Sequence, residues 1–339
     1  MTMHEINGTH TWMVTGAAGF IGGNIAEYLL KQNQRVIGLD NLSSGGMERI
    51  NAVENALSPE ARGRFCFIKG DIRDAGLLDR SFSGVDYVLH EAALVSVPES
   101  LKEPSACNEI NVTGFLNVLD AARKNNVKRM VYASSFAVYD NAAAPPLSES
   151  APVRPISPYG ASKRINEIYA DLYLSAYGFC AVGLRYANIY GPGQNPNGEY
   201  AAVIAKWISA ALKGDAVYIF GDGENTRDFC YVEDVVKASV SAALSEKAGS
   251  GGVFNIGCGK KATLNETCRR IYEIVESQRP GIKIPAPVYK DFRDGDIRHS
   301  YADIGRARET LGFSPSCGFE KGLEKTVAWF KKRLGEGAA

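Results

Sequence analysis

Val14-Thr15-Gly16-Ala17-Ala18-Gly19-Phe20-Ile21-Gly22 is the stretch whose reading decides the fold. Apolar Trp12-Met13-Val14 leads into it as a strand, and the run 20–30 leaves it as a helix. Glycines at a strand-to-helix junction let the backbone turn tightly, approach a pyrophosphate closely and aim helix N–H groups at its charge. Glycine also marks ordinary turns, so Gly16, Gly19 and Gly22 need a context. A second apolar strand, Val36-Ile37-Gly38-Leu39, supplies it by ending on Asp40, a carboxylate placed to accept from a ribose 2′-hydroxyl. Strand, glycine turn, helix, strand and acid predict dinucleotide binding. Because a carboxylate at this point repels a 2′-phosphate, NAD is favoured over NADP.

Further along, strands and helices alternate. Strands are expected at 64–68, 85–90, 129–133 and 181–185, with amphipathic helices over 104–125 and 159–177. Ser157 and Pro158 are good helix-start residues for the latter. Alternation over about 185 residues argues for an α/β fold, a Rossmann-type doubly wound parallel sheet. A Gly/Pro/Asn-rich loop at 191–198 then leaves the sheet for a smaller α+β part. Its elements are a helix over 201–212, short strands at 217–220 and 228–231, a helix over 235–245, and a helix opened by the capping box Thr263-Leu264-Asn265-Glu266. The division is a dinucleotide-binding domain at 1–190 and a substrate domain at 191–339, with a return of the chain to the sheet left open.

Lys+Arg and Asp+Glu both number 38 in a chain of 339 residues, so no basic field invites nucleic acid or an anionic membrane. A small molecule is the expected partner. Seven cysteines (Cys66, Cys107, Cys180, Cys230, Cys258, Cys268, Cys317) form no CxxC pair, which speaks for reduced thiols and against a metal site. Residues 1–11 are polar, and no apolar run approaches the roughly 20 residues that span a bilayer. A cytoplasmic location follows as an expectation.

Tyr159 and Lys163 stand four apart, hence on one helix face. An ammonium near a phenol favours the phenolate and turns a group with a pKa of about 10 into a usable general base. Tyr/Lys pairs at this spacing are common on helices and usually do no chemistry. Ser134-Ser135, however, ends the preceding strand on the carboxyl edge where the cofactor must lie. Asp71-Ile72, just past the strand at 64–68, suits either an adenine contact or, for Asp71, the cap of the next helix. Ala92-Ala93 lets backbone approach the cofactor, and Asn111, alone within a helix, has a structural role on spacing alone.

Taken together, Gly16, Gly19, Gly22, Asp40, Asp71-Ile72, Ala92-Ala93, Asn111, Ser135, Tyr159, Lys163 and Leu184-Arg185-Tyr186 with Asn188 resemble an extended short-chain dehydrogenase/reductase. More narrowly, the chain is similar to the nucleotide-sugar 4-epimerases, with the O-antigen type of UDP-N-acetylglucosamine 4-epimerase as the best match. The stretches 196–204, 221–231 and 291–300 carry that match. The resemblance implies NAD held by Gly16, Gly19, Phe20, Ile21, Gly22, Asp40, Asn41, Ser43, Gly45, Asp71, Ile72, Ala92, Ala93, Asn111, Tyr159, Lys163 and Tyr186. It implies a UDP-sugar held by Ser96, Ser135, Phe136, Asn188, Ala202, Val203, Tyr218, Arg227, Arg293 and Ser300.

Arg227 and Arg293 match arginines that bind the diphosphate, a use suited to forked donors. Ser300 matches a gate that admits N-acetylated sugars when small. The implied chemistry is removal of the 4-hydroxyl proton by Tyr159 while hydride passes to NAD, followed by hydride return to the other face, with Ser135 on the reacting oxygen and no metal. A homodimer paired through the helices at 104–125 and 159–177 is also implied. Phe136 and Val95 are bulkier than the pattern and are expected to narrow the sugar pocket, which keeps UDP-glucose/UDP-galactose and UDP-hexuronic acids open as substrates. Phe136-Ala137 stands where 4,6-dehydratases carry Asp-Glu and weakens UDP-glucuronate decarboxylation as well. A non-catalytic NAD-binding regulator is disfavoured by retention of Ser135, Tyr159 and Lys163.

Overall fold

The computed structural model describes residues 6–197, 202–292 and 297–336. Its centre is a seven-stranded sheet, parallel throughout, in the order Phe65–Lys69, Arg35–Asp40, Thr11–Thr15, Tyr87–His90, Arg129–Ser135, Ala181–Tyr186, Gly252–Ile256. The first three strands step outward on one side of Thr11–Thr15, and the chain then returns to its other side. Between Thr11–Thr15 and Tyr87–His90 the order reverses, which opens a crevice at the carboxyl ends of the strands.

Side chains of the strands alternate between two cores. Trp12 and Val14 pack with Ile25, Leu29, Val235 and Val236 on one face. Met13 packs with Phe115, Val118, Leu119 and Ala170 on the other. All six residues of Ala181–Tyr186 are buried, as expected where helices cover both faces of a parallel strand.

The chain does cross back after residue 190: helix Val232–Leu244 lies on the sheet, and Gly252–Ile256 pairs with Ala181–Tyr186. A second core, built on Ile204, Trp207, Ile208, Ile271, Val275 and Phe330, holds helices Val203–Lys213, Leu264–Gln278 and Phe319–Glu336 together. Small ladders flank it. Thr226–Arg227 runs between Ala262–Thr263 and His299–Ser300, and Tyr218–Phe220 pairs with Val288–Lys290. Of the capping box expected at Thr263, the N-cap half forms, the Thr263 hydroxyl accepting from Glu266 N at 3.0 Å, while the Glu266 carboxylate accepts from Arg270.

Two local expectations need correction. Residues 104–125 are not one regular helix, because Pro104–Asn108 and Gly114–Lys124 are joined by a π-helical turn over Glu109–Thr113. That turn carries Asn111, whose hydrogen bonds to a neighbouring loop compensate for the irregular winding. Asp71 caps no helix; Asp74 caps Ala75–Ser81 by accepting from Leu77 N at 2.9 Å.

Candidate functional site

A continuous cavity of about 1480 Å³ follows the crevice from the glycine turn, past Lys163, to the second core. At its first end Gly16 takes a left-handed φ of 71°, and a side chain there would meet Ala92 N at 2.8 Å. Glycine is required both by the turn and by the neighbouring strand end. A Cβ on Gly22 would collide with the Gly16 carbonyl, so the helix start lies directly on the turn. Gly19 caps helix Phe20–Lys31 with no side-chain hydrogen bond, and the first turn holds no acid. Its N–H groups are thus left for an anion.

Asp40 accepts from Ala18 N at 3.0 Å and from Leu42 N at 2.7 Å. Each carboxylate oxygen keeps a second lone pair for a sugar hydroxyl. Asn41, Ser43, Gly45, Asp71 and Ile72 continue the same wall, and Ala92 and Ala93 face it from the next strand end. Arg73 hydrogen-bonds to Asp71 and, with Asn41, holds its carboxyl well below the usual range. The turn, the uncapped helix start and the free acceptor capacity of Asp40 fit the pyrophosphate and adenosine ribose of NAD.

Midway along the cavity, helix Pro158–Tyr177 presents Tyr159 and Lys163 on one face, one turn apart. Ser157 starts this helix by accepting from Gly160 N at 3.1 Å, which aims that face at the strand end carrying Ser135. Tyr159 and Ser135 line the same stretch of the cavity, and the Ser135 hydroxyl accepts from Ala137 N at 3.1 Å. Lys163, 2% exposed, donates to the Ala133 carbonyl at 2.9 Å and sits 5.8 Å from the centroid of the Tyr159 ring.

Burial pushes the Tyr159 phenol above its ordinary value, against the pull of the Ser135 hydroxyl. Burial also lowers Lys163 to about 8, against the nearby Glu91. The protein alone therefore does not hold a pre-formed phenolate: burial raises the phenol, and the Lys163 ammonium, turned to the Ala133 carbonyl, does not supply the lowering expected of it.

Ser96, Asn188, Ala202, Val203, Tyr218 and Arg227 line the remainder of the cavity, as does Tyr186. Three residues expected at the ligands do not border it. Asn111 is buried, donating to Leu94 O at 2.9 Å and Ser162 Oγ at 3.0 Å and accepting from Leu94 N at 2.8 Å, so it pins the cavity wall from behind. Phe136 turns away to pack edge-on against Tyr139 at 5.3 Å, beside the Val138 and Leu147 cluster. It is not part of the cavity wall. Ser300 lies buried in the ladder beside Arg227, and its short side chain does not reach the cavity. Val95 does stand on the wall, 65% exposed. Arg293 lies outside the described residues.

Several wall residues were not foreseen. Glu91 precedes the Ala92-Ala93 pair, and its place in His90-Glu91-Ala92-Ala93 was the signal available. Arg49 reaches from helix Met47–Asn55 across Gly23 and pairs with Glu27 at 3.8 Å. Lys290 and Arg333, distant in sequence, had no local signature. Among the described residues there is no group of three or more His, Cys, Asp or Glu that could hold a metal, and no helix is long and apolar enough to cross a membrane.

Residues 12–257 match the NAD dependent epimerase/dehydratase family. A UDP-glucose 4-epimerase of Mycolicibacterium smegmatis is 39% identical over 324 residues, which cover 95% of this chain and 98% of that protein. Among solved structures, a UDP-N-acetylglucosamine 4-epimerase from Methanobrevibacter ruminantium M1, in complex with UDP-N-acetylmuramic acid, is 39% identical with a TM-score of 0.86 over 96% of this chain and all of that one (100%). A UDP-glucose 4-epimerase of Thermus thermophilus, in complex with NAD, is 33% identical with a TM-score of 0.80 over 95% and 99% of the two chains. With a glycine cradle suited to NAD, a Ser/Tyr/Lys group beside it and a match over most of its length, this chain belongs to the NAD dependent epimerase/dehydratase family.

Proposed function

We propose that the protein inverts C4 of a UDP-sugar, with UDP-N-acetylglucosamine and UDP-N-acetylgalactosamine as the preferred pair. The observation that carries this is the placing of Ser135, Tyr159 and Lys163 in one cavity that runs from the glycine cradle to Arg227. NAD, held at the cradle, supplies a hydride acceptor that gives the hydride back. Tyr159 Oη takes the proton of the sugar 4-hydroxyl and later returns one to the same oxygen. Ser135, on the same stretch of wall as Tyr159, holds that oxygen in place. Lys163 keeps a positive charge beside the phenol, and Arg227 meets the diphosphate with a forked donor.

Two features bear on the sugar. Phe136 is turned away, which leaves room for an N-acetyl group. Glu99 stands on the wall of the same cavity, and a carboxylate there disfavours a hexuronic acid. The relatives that act on UDP-glucose favour a plain hexose as the second reading. Parallel incubations with UDP-GlcNAc, UDP-glucose and UDP-glucuronate, resolved by proton NMR, decide among them. UDP-GalNAc is expected as the fastest-formed product; conversion of UDP-glucuronate alone would overturn the assignment.

The protein is also proposed to be a homodimer. Leu101, Ile168, Leu172 and Tyr177 are each about half exposed or more on helices Val97–Lys102 and Pro158–Tyr177, a concentration of apolar surface that a second copy would cover. Sedimentation equilibrium should return twice the chain mass, and Leu172→Asp should return the single mass. A monomeric wild type would sink this proposal.

A further inference from the structure

Tyr159 is the second residue of helix Pro158–Tyr177, in the first turn, where N–H groups find no carbonyl within the helix and the chain frays most readily. Pro158 brings no N–H to that turn. Gly160 N donates to the Ser157 hydroxyl at 3.1 Å, and Ala161 N donates to the Ser157 carbonyl at 2.9 Å. Within 158–161 only the N–H of Tyr159 is left over by the helix and its cap. It donates at 3.2 Å to the hydroxyl of Ser100, a fully buried residue of helix Val97–Lys102. The proton of that hydroxyl goes to the Val97 carbonyl at 2.7 Å, so its lone pairs are free to meet Tyr159.

The carbonyl side of Tyr159 is held as well. It accepts from Ser162 Oγ at 2.7 Å, and Ser162 takes a bond from Asn111 Nδ2 at 3.0 Å. Asn111 grips the backbone of Leu94 on the cavity wall, and from Leu94 the wall runs through Val95 and Ser96 into helix Val97–Lys102. Ser96 caps that helix by accepting from Glu99 N at 3.1 Å, which sets Ser100 in place one turn on. One segment of wall therefore reaches Tyr159 at both its N–H and its carbonyl.

We propose that Ser100 is a positioning residue for C4 inversion: by taking the N–H that the helix leaves over, it fixes where the Tyr159 oxygen stands against the wall beside the sugar. This rests on Tyr159 as the base of the proposed reaction. Ser100 does not border the cavity, so it touches neither sugar nor cofactor and acts through Tyr159. A backbone shift in the first turn is carried to the phenol at the far end of the side chain, and a misplacement of about 1 Å at a reacting group costs about 10²-fold in rate.

Ser100→Ala removes the acceptor and leaves the rest of the turn alone. Assayed by proton NMR well below its melting temperature, with the UDP-sugar that the wild type converts fastest, it is expected to lose about 10–10²-fold in kcat. KM for the sugar and NAD affinity should stay at wild-type values, because the lost interaction is one that only the reacting geometry uses. Ser100→Thr keeps the hydroxyl and should keep most of the wild-type kcat. In a Tyr159→Phe background, Ser100→Ala should cost no further rate, since the oxygen it positions is gone.

A wild-type kcat in Ser100→Ala overturns the proposal, because a merely structural hydroxyl lowers the melting temperature and leaves the rate of the folded protein in place. Equal losses in the Ala and Thr variants assign the effect to side-chain volume, and a full further loss in the Tyr159→Phe background assigns it to another group; each overturns it too. If Tyr159→Phe keeps wild-type turnover, the reading of Tyr159 as base fails and the proposal falls with it. If Tyr159→Phe is slowed and Ser100→Ala is not, that reading stands and the proposal alone falls.

Discussion

Tyr159→Phe is expected to lower kcat for C4 inversion by roughly 10²–10⁴-fold, the usual contribution of a positioned acid–base group. NAD affinity should stay at the wild-type level. The substitution removes one oxygen and keeps the ring, so the cavity wall and the pose of Lys163 on the Ala133 carbonyl are retained. What is lost is the phenol oxygen that shares the cavity wall with Ser135. Rates from proton NMR and NAD titration by calorimetry separate the two effects. Activity within tenfold of wild type would remove Tyr159 from the reaction, and loss of NAD binding would show that its oxygen serves the fold or the cofactor instead.

Much of this site was legible because its parts are local. Gly16, Gly19 and Gly22 with Asp40 form one strand–turn–helix–strand unit, and a sequence window is enough to read such a unit. Tyr159 and Lys163 fall on one face by helical spacing alone. Ser135 is found by following a strand to its end, because every strand of a parallel sheet delivers its carboxyl end to the same edge. That the sheet is parallel and doubly wound follows from the alternation of apolar strands and amphipathic helices, although the order of its strands does not. Its last strand, Gly252–Ile256, was harder: it returns from the second half of the chain, and nothing in its five residues says which sheet it joins.

The rest was illegible for a different reason. Whether Asn111, Phe136 and Ser300 face the cavity depends on side-chain direction, which neighbours distant in sequence decide. Asn111 is drawn to the backbone of Leu94, Phe136 to Tyr139 and Ser300 to the ladder with Arg227. The same holds for Arg49 and Arg333, brought to one cavity from opposite ends of the chain. Ionisation is further removed still. A Tyr/Lys spacing predicts a lowered phenol, but burial, a property of the finished fold, turns the direction around.

Glu167→Ala should destabilise the protein by about 3–5 kcal/mol, the cost of leaving a buried partner charge alone. Glu167 is one helical turn beyond Lys163 and 1% exposed. It takes two bonds from Arg185 at 2.8 Å each, one from Ser134 Oγ at 2.6 Å and one from Arg164 at 3.0 Å. Arg185, itself 2% exposed, also lies 4.8 Å over the Tyr139 ring. Removing the carboxylate leaves that guanidinium buried and unneutralised, whereas changing both partners, as in Glu167→Met with Arg185→Met, should recover a large part of the loss.

The sign of the pH dependence follows from the same geometry. Burial alone would raise the Glu167 carboxyl, but the bonds and charge of Arg185, with Ser134 and Arg164, hold it below its ordinary value. A depressed carboxylate contributes stability above its unfolded pKa and loses it as pH falls through the folded one. The gap between wild type and Glu167→Ala in urea unfolding should therefore be widest near neutrality and close progressively below about pH 4. A gap under about 1 kcal/mol at neutral pH, the scale of an exposed ion pair, would mean that the network is solvated and not what anchors the catalytic helix to the sheet. With the expected gap, the stripe Tyr159, Lys163, Glu167 divides one helix face between two tasks: its first turns carry the proposed acid–base pair, and its third fixes their distance from Ser135.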